Sequence, residues 1–414
     1  MPLIDTLKEI RYTLIITIGI LFIENIYVKI IFWLFVFALI YYRNSYIVYM
    51  AVILSFFEGS GSFFIERFDF YIKPLHIVAV FSTIYLLLQY GKKISRYFLE
   101  PVFMLSIIFI ISGFLPYIYC QPAKSNIRFI LNYFSLFYIF LIVSILFSFI
   151  EVKEEIIFDL LIASFIIHIA YAIFVIIFDR EKLWYRLLFT REYHSTNYLL
   201  FLSAMYYYYA FSRNYKKVFF LFLISVFMLF YTKVKMGIVS LLLIILISFI
   251  VNMKKKFKIN KIIFVVAILF IFIVPLCIDT AVRWDSYLFI THTNSYKDRI
   301  RFYSLFFDTM TLTSFICGRG AYGIGTTIHN WFLDILSERG IFGLSSFIGI
   351  FLFIIKTGFS LENRHILYTL ISFGMISSLL QGLASGHHFV LFHFWVMGAV
   401  VYGRYLKNKY NKDI

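Results

Sequence analysis

The apolar positions of this chain come in long blocks rather than in alternation. Runs near residues 10–25, 28–42, 45–57, 74–90, 100–118, 127–149, 155–178, 196–212, 217–232, 236–251, 261–278, 341–358, 366–384 and 387–405 carry few charges. A straight membrane span needs about 20 apolar residues, so the shorter blocks, the first three or the 217–251 pair, read as merged or re-entrant. The pattern predicts an all-α fold: a polytopic membrane helical bundle of about 12–14 helices. Residues 1–414 read as one integral membrane domain, without an internal repeat or a linker. Residues 279–340 form the only substantial extramembrane segment.

One stretch departs from the block pattern. Residues 329–343 read HNWFLDILSERGIFG. Trp331, Phe332, Ile335 and Leu336 have helical spacing, and Asp334, Ser337, Glu338 and Arg339 fall largely on the other side. Gly340 closes the segment and an apolar run begins at Ile341. The spacing predicts a short amphipathic helix lying at a membrane surface, headed by His329-Asn330, just before a span.

Composition agrees with the blocks. The chain is 62% hydrophobic and 14% charged, against about one quarter charged for a soluble protein. The first apolar run meets Glu24-Asn25 rather than a small-residue cleavage site, so no cleavable signal peptide is expected. The net charge of +16 has no soluble basic domain to carry it, which argues against nucleic acid as a partner. Lys and Arg in short loops mark the cytoplasmic side. Lys92-Lys93-Arg96, Arg213-Lys216-Lys217, Lys254 to Lys261 and the tail from Arg404 to Lys412 share one side if the spans alternate. Both termini are then cytoplasmic, and residues 279–340 are external.

The external side should be poor in cations, yet it carries Arg180, Lys182, Arg186, Arg191, Lys233, Lys235, Arg283, Lys297, Arg299, Arg301, Arg319 and Arg339. Anionic lipid headgroups are one partner that fits. A phosphate or pyrophosphate substrate is the other, because a guanidinium grips phosphate with two hydrogen bonds and stabilises charge on a phosphate leaving group. Lys233 and Lys235 sit between two apolar runs with almost no loop. Either they snorkel to the surface or they serve a site at the interface. Arg299 and Tyr303 fall one helical turn apart. Gly318, Gly320, Gly323 and Gly325 form a loop able to offer backbone N–H groups to an anion. No GxxxxGK[ST] sequence is present, which excludes a nucleotide P-loop. No HExxH, DxD or Cys/His ligand spacing is present either, so no metal is expected. Three cysteines, Cys120, Cys277 and Cys317, are too few for a disulfide framework.

His329-Asn330, nine residues, then Gly340-x-x-Gly343 resembles the signature of the O-antigen polymerase and O-antigen ligase superfamily of bacterial envelope enzymes. Asp298-Arg299-Ile300-Arg301-Phe302-Tyr303 followed by Gly318-Arg319-Gly320 resembles that family's segment preceding the His-Asn pair. Arg191 to Asn197 resembles its span-opening segment. Thr232 to Gly237 is similar to its Ser-Arg turn, with Lys where Arg is usual. Together these cover roughly residues 185–350.

The resemblance implies a GT-C-like helical glycosyltransferase of the inner (cytoplasmic) membrane, active on its outer face without a metal or other cofactor. Its implied function is an O-antigen polymerase joining undecaprenyl-pyrophosphate-linked oligosaccharide units. Membrane lipid and a chain-length regulator protein are the implied partners. The alternatives are a ligase moving glycan to a lipopolysaccharide core, or a flippase that relocates the lipid-linked unit unchanged. In the enzyme reading Arg299 and Lys235, with Arg191 or Arg319, neutralise the pyrophosphate, and Arg301, on another face of its helix, binds substrate. His329 takes the proton of the attacking hydroxyl. Asn330, Asn197 and Tyr303 bind substrate, and Trp184, Tyr193, Trp284 and Trp331 either stack on sugars or form an interfacial belt.

Overall fold

The computed structural model describes residues 11–16, 26–56, 63–65, 70–120, 125–164, 294–320, 330–361, 365–382 and 392–410, with isolated positions between 202 and 241. Helix α1 (Ile26–Tyr42) and helix α2 (Ser45–Leu54) are separate, parted at Arg43-Asn44, and ten residues leave α2 too short to cross a bilayer. Two three-residue strands follow, β1 (Phe63–Ile65) and β2 (Phe70–Ile72), antiparallel with Phe64 opposite Tyr71. This small hairpin departs from the all-helical expectation. Both triplets, Phe-Phe-Ile and Phe-Tyr-Ile, are aromatic and β-branched, the residue types that suit paired strands.

Helix α3 (Pro74–Ile94) and helix α4 (Pro101–Ser112) both open with proline, whose missing N–H costs nothing in a first turn. Helix α5 is Ser125–Phe149. After the undescribed middle come α6 (Asn294–Thr309), α7 (Leu312–Cys317), α8 (Trp331–Ser360), α9 (Ile366–Gly382) and α10 (Phe392–Tyr410). Among the described residues, four helical stretches are long and apolar enough to cross a membrane: Pro74–Leu99, Pro101–Ile118, Phe129–Phe149 and Trp331–Ser360. The chain is thus a mainly helical membrane protein.

Helix α5 lies at the centre, with α10, α3 and α4 against it, while α8 rests on α4 and α9. Between lipid-solvated helices burial of apolar surface gives little drive, so close packing must hold them. Aromatic rings fill the middle: Phe137 meets Trp395 at 4.6 Å, Phe347 meets Phe351 at 4.4 Å, and Phe351 stacks on Phe394 at 4.6 Å. Such offset and edge contacts each contribute about 0.5–1.5 kcal/mol beyond area. Gly403 lets α10 settle against Phe147 and the Ser144 carbonyl.

Candidate functional site

The site region is built where three separate stretches meet: the end of α4, the loop after α7, and the head of α8. Helix α7 is short but firmly started. The Thr311 hydroxyl accepts from the Ser314 N–H at 3.2 Å, and Ser314 Oγ accepts from the Thr311 N–H at 2.8 Å, a reciprocal capping box. It ends at Gly318, with φ of 77°, and Gly320 follows with φ of 79°. Left-handed backbone is readily adopted only by glycine.

Helix α8 starts with Asn330, whose Oδ1 accepts from the Phe332 and Leu333 N–H groups at 3.0 and 3.2 Å. That is an N-cap, worth about 0.5–2 kcal/mol to the helix. The helix then breaks. Gly340 has φ of 67° and ψ of −170°, so residues 331–339 form a short helix that turns before the long span 341–360. A break of this kind interrupts the backbone ladder and leaves carbonyls at the end of the short helix without their usual donors. The glycine loop supplies them: Arg319 N–H donates to the Ser337 carbonyl at 2.6 Å, and Gly320 N–H to the Glu338 carbonyl at 3.1 Å. Space is as important as angle. A Cβ on Gly318 would stand 2.5 Å from the Arg339 nitrogen and the Glu338 carbonyl, and one on Gly340 would strike the Ile316 backbone.

The surface-helix expectation is corrected here. Asp334, Ser337, Glu338 and Arg339 are all buried rather than turned to water. The helix is polar on a face that meets α4 and α5: the stripe lies where the spacing puts it, and it faces protein rather than water. Trp331 is likewise buried, edge-on to Phe394 at 6.1 Å, and is available neither to a sugar nor to an interfacial belt.

Arg339 is the largest correction. Expected among the external cations, it is 2% exposed. Its guanidinium lies over the Tyr133 ring at 4.0 Å and the Phe109 ring at 4.4 Å, and Nη1 donates to the Phe109 carbonyl at 2.8 Å. Phe109 belongs to the last turn of α4, where carbonyls lack helical donors and the helix dipole is negative. The cation therefore caps a helix it does not belong to. Gly113 makes this possible, since a Cβ there would sit 2.5 Å from Nη1. Burying an ion costs several kcal/mol. A charge-assisted hydrogen bond returns about 1.5–3 kcal/mol, and each desolvated ring face about 2 kcal/mol, so the two sides are of similar size. The neighbouring Glu338 carboxylate accepts a long 3.5 Å hydrogen bond from the Tyr133 hydroxyl.

Tyr119 closes the arrangement from the α4 side, its hydroxyl donating to the Gly318 carbonyl. Burial, then the Cys120 thiol, pushes the Tyr119 phenol above its ordinary value, so it stays protonated and able to donate. Cys120 and Cys317, both partly exposed, are free thiols.

The residues singled out from sequence fall into three groups. Arg319 and Asn330 are brought onto one assembly; Arg319 is half-buried, with Nη2 3.4 Å from Ser314 Oγ. Arg299, Arg301 and Tyr303 share helix α6, with Arg301 exposed, Tyr303 half-buried and the Arg299 side chain outside the described residues. His329, Lys235, Lys233, Arg191 and Asn197 lie outside the described residues. Sequence reasoning missed Gly113, Tyr119 and Tyr133. The one signal for them was a glycine inside the apolar run 100–118, at residue 113. Among the described residues no group of three or more metal-binding side chains is present. No protein-family model matches the chain, and no curated protein matches it.

Proposed function

We propose that this chain is a polysaccharide polymerase of the O-antigen type, joining oligosaccharide units carried on undecaprenyl pyrophosphate. In this reading it is a GT-C-like bundle of about 12–14 helices, with both termini cytoplasmic and residues 279–340 at the outer face of the inner membrane. One observation carries the reading. Two stretches of the resemblance, Gly318-Arg319-Gly320 and Asn330 to Gly343, fold into one assembly joined by backbone hydrogen bonds. Their glycines are required by φ and by space rather than left over from a flexible loop. Segments that share one chemical task have to meet, and these do.

The chemistry follows from the residue types. The bond between the donor's anomeric carbon and its pyrophosphate oxygen breaks, and a glycosidic bond to the acceptor hydroxyl forms. The proton of that hydroxyl passes to His329. Undecaprenyl pyrophosphate leaves with its negative charge balanced by Arg319, Arg299, Lys235 and Arg191, with Arg301 at the rim. Such neutralisation by side chains requires no metal. Asn330 spends its Oδ1 on the cap, so its part in the reaction is to hold His329 at the helix head; Asn197 and Tyr303 contact sugar.

The test is purified protein with a lipid-linked repeat unit, in EDTA. Wild type is expected to lengthen the unit into a ladder. His329→Ala is expected to lose about 10²–10⁴-fold in rate, the usual contribution of a general base, with unchanged protein yield. Extension by the variant at the wild-type rate removes His329 from the mechanism. Transfer only when a lipopolysaccharide core is supplied makes the protein a ligase, and relocation of the unit unchanged makes it a flippase.

A further inference from the structure

Three chain segments at this site finish one another's helices. Arg339, ending the short helix 331–339, caps α4 through the Phe109 carbonyl. The Arg319 and Gly320 N–H groups cap that short helix. Tyr119, just beyond α4, binds the Gly318 carbonyl of the same loop. The hydrogen bonds therefore run in a closed ring from α4 to α8 to the loop and back to α4.

Two arginines occupy this ring in opposite ways. Arg339 is enclosed between the Phe109 and Tyr133 rings, and Gly113 and Gly343 leave room for its side chain. Arg319 stands between two left-handed glycines, its main chain fixed in the ring and its side chain half-exposed. A simple space-filling residue at 339 would not need a charge. A cation there does, because its partner is the negative end of α4. We infer that Arg339 is a positioning residue: it locks the ring of caps and so fixes the backbone that presents Arg319 to the anionic phosphate of the lipid-linked substrate. The second half of this inference rests on the polymerase reading; the first does not.

Loss of the lock has two consequences. The loop 318–320 loses its support and parts from the end of the short helix, which exposes the already half-buried Cys317 further. Arg319 then samples many positions, so substrate is held less well while the folded protein persists. Replacing Arg339 by Lys keeps a charge at the end of α4 but gives up the planar stacking between two rings, so it restores part of the effect.

The experiment uses the full chain with Cys120 and Cys277 changed to Ser, leaving Cys317 as the single thiol. Maleimide labelling of Cys317 is compared in wild type, Arg339→Gln and Arg339→Lys, each checked for a single symmetrical elution peak. Arg339→Gln is expected to label about 10-fold faster or more, the change implied by losing one charge-assisted hydrogen bond, with Arg339→Lys between. If Arg339→Gln does not fold, Gly113→Ala takes its place. Its new methyl presses on the far end of the guanidinium without removing it, and a smaller acceleration in the same direction is expected. Equal labelling in all folded variants overturns the lock.

The second readout is steady-state extension of the lipid-linked unit. Arg339→Gln and Arg319→Gln should each raise KM, and the double variant should raise it no further than Arg319→Gln alone, because both act through one contact. Additive effects overturn the link to Arg319. Absence of turnover in wild type sinks the polymerase reading instead, and the labelling comparison still decides whether Arg339 holds the loop.

Discussion

Helix α4 is gripped at both ends by distant parts of the chain, with opposite chemistry. At its start the Glu100 carboxylate, 2% exposed, accepts from Lys409 Nζ at 2.8 Å, from the Tyr410 hydroxyl, and from the Tyr402 hydroxyl at 3.4 Å. At its finish Arg339 binds the Phe109 carbonyl between two rings. Each charge complements the helix dipole at its own end. The difference lies in the partners. The Glu100 end includes a formal counter-ion whose side chain is 44% exposed, so water shares in stabilising it. The Arg339 end is closed to water: the guanidinium meets a carbonyl and two ring faces, with the buried Glu338 carboxylate beside it. An end near water can hold a charge with an ordinary ion pair. An enclosed end needs close placement of every group around the charge, and therefore depends strongly on backbone geometry.

That contrast can be broken at its geometric side first. Gly340→Ala should have the largest effect, because it removes the break that brings Arg339 to α4. Left-handed strain costs about 1–3 kcal/mol, and the forced contact with the Ile316 backbone about as much again. The expected result is a steep fall in thermal stability in detergent, with Cys317 exposed; a wild-type melting curve would contradict it. At the other end, Glu100→Gln keeps shape and one acceptor but removes the charge. It should cost about 1–3 kcal/mol, measured by denaturant unfolding, since buried donors lose a full partner. The smallest effect belongs to Lys409→Ala. Its ion pair is half-open to solvent, so about 0.2–1 kcal/mol is expected. That difference should vanish near 1 M salt, where screening acts within about 3 Å. If Lys409→Ala outweighs Glu100→Gln, the exposed ion pair rather than the buried acceptor set holds this end.

Much of the fold was legible because apolar runs carry their own lengths. The blocks at 28–42, 74–90, 127–149 and 366–384 match α1, α3, α5 and α9 to within a few residues. The helix at 331–339 and its closure at Gly340 were legible too, from helical spacing and a terminal glycine. What spacing could not supply was the medium on each side. A polar stripe looks the same whether it meets water or another helix, so Asp334, Glu338 and Arg339 were read outward. Asn330 reads as a cap or a ligand from sequence alone, and the cap is visible only once the N–H groups of Phe332 and Leu333 are placed. Gly113 and Gly318 matter through contacts with residues far along the chain, Arg339 and Tyr119, which no local pattern encodes.

The hydrogen bond from Arg339 to Phe109 joins residues 230 positions apart. On a ribosome adding about 5–20 residues per second, α4 emerges roughly 10–50 s before its cap is made. During that interval the Phe109 carbonyl has its local donor, Ser112 Oγ at 2.7 Å, but not the guanidinium. The end of this helix is thus completed by one of the later pieces of the protein to be synthesised. Nascent chains halted before residue 330 should leave Tyr119 and Cys120 open to reagents that full-length chains exclude. The site's formation is then a late event in biogenesis, timed by chain position rather than by the arrival of substrate.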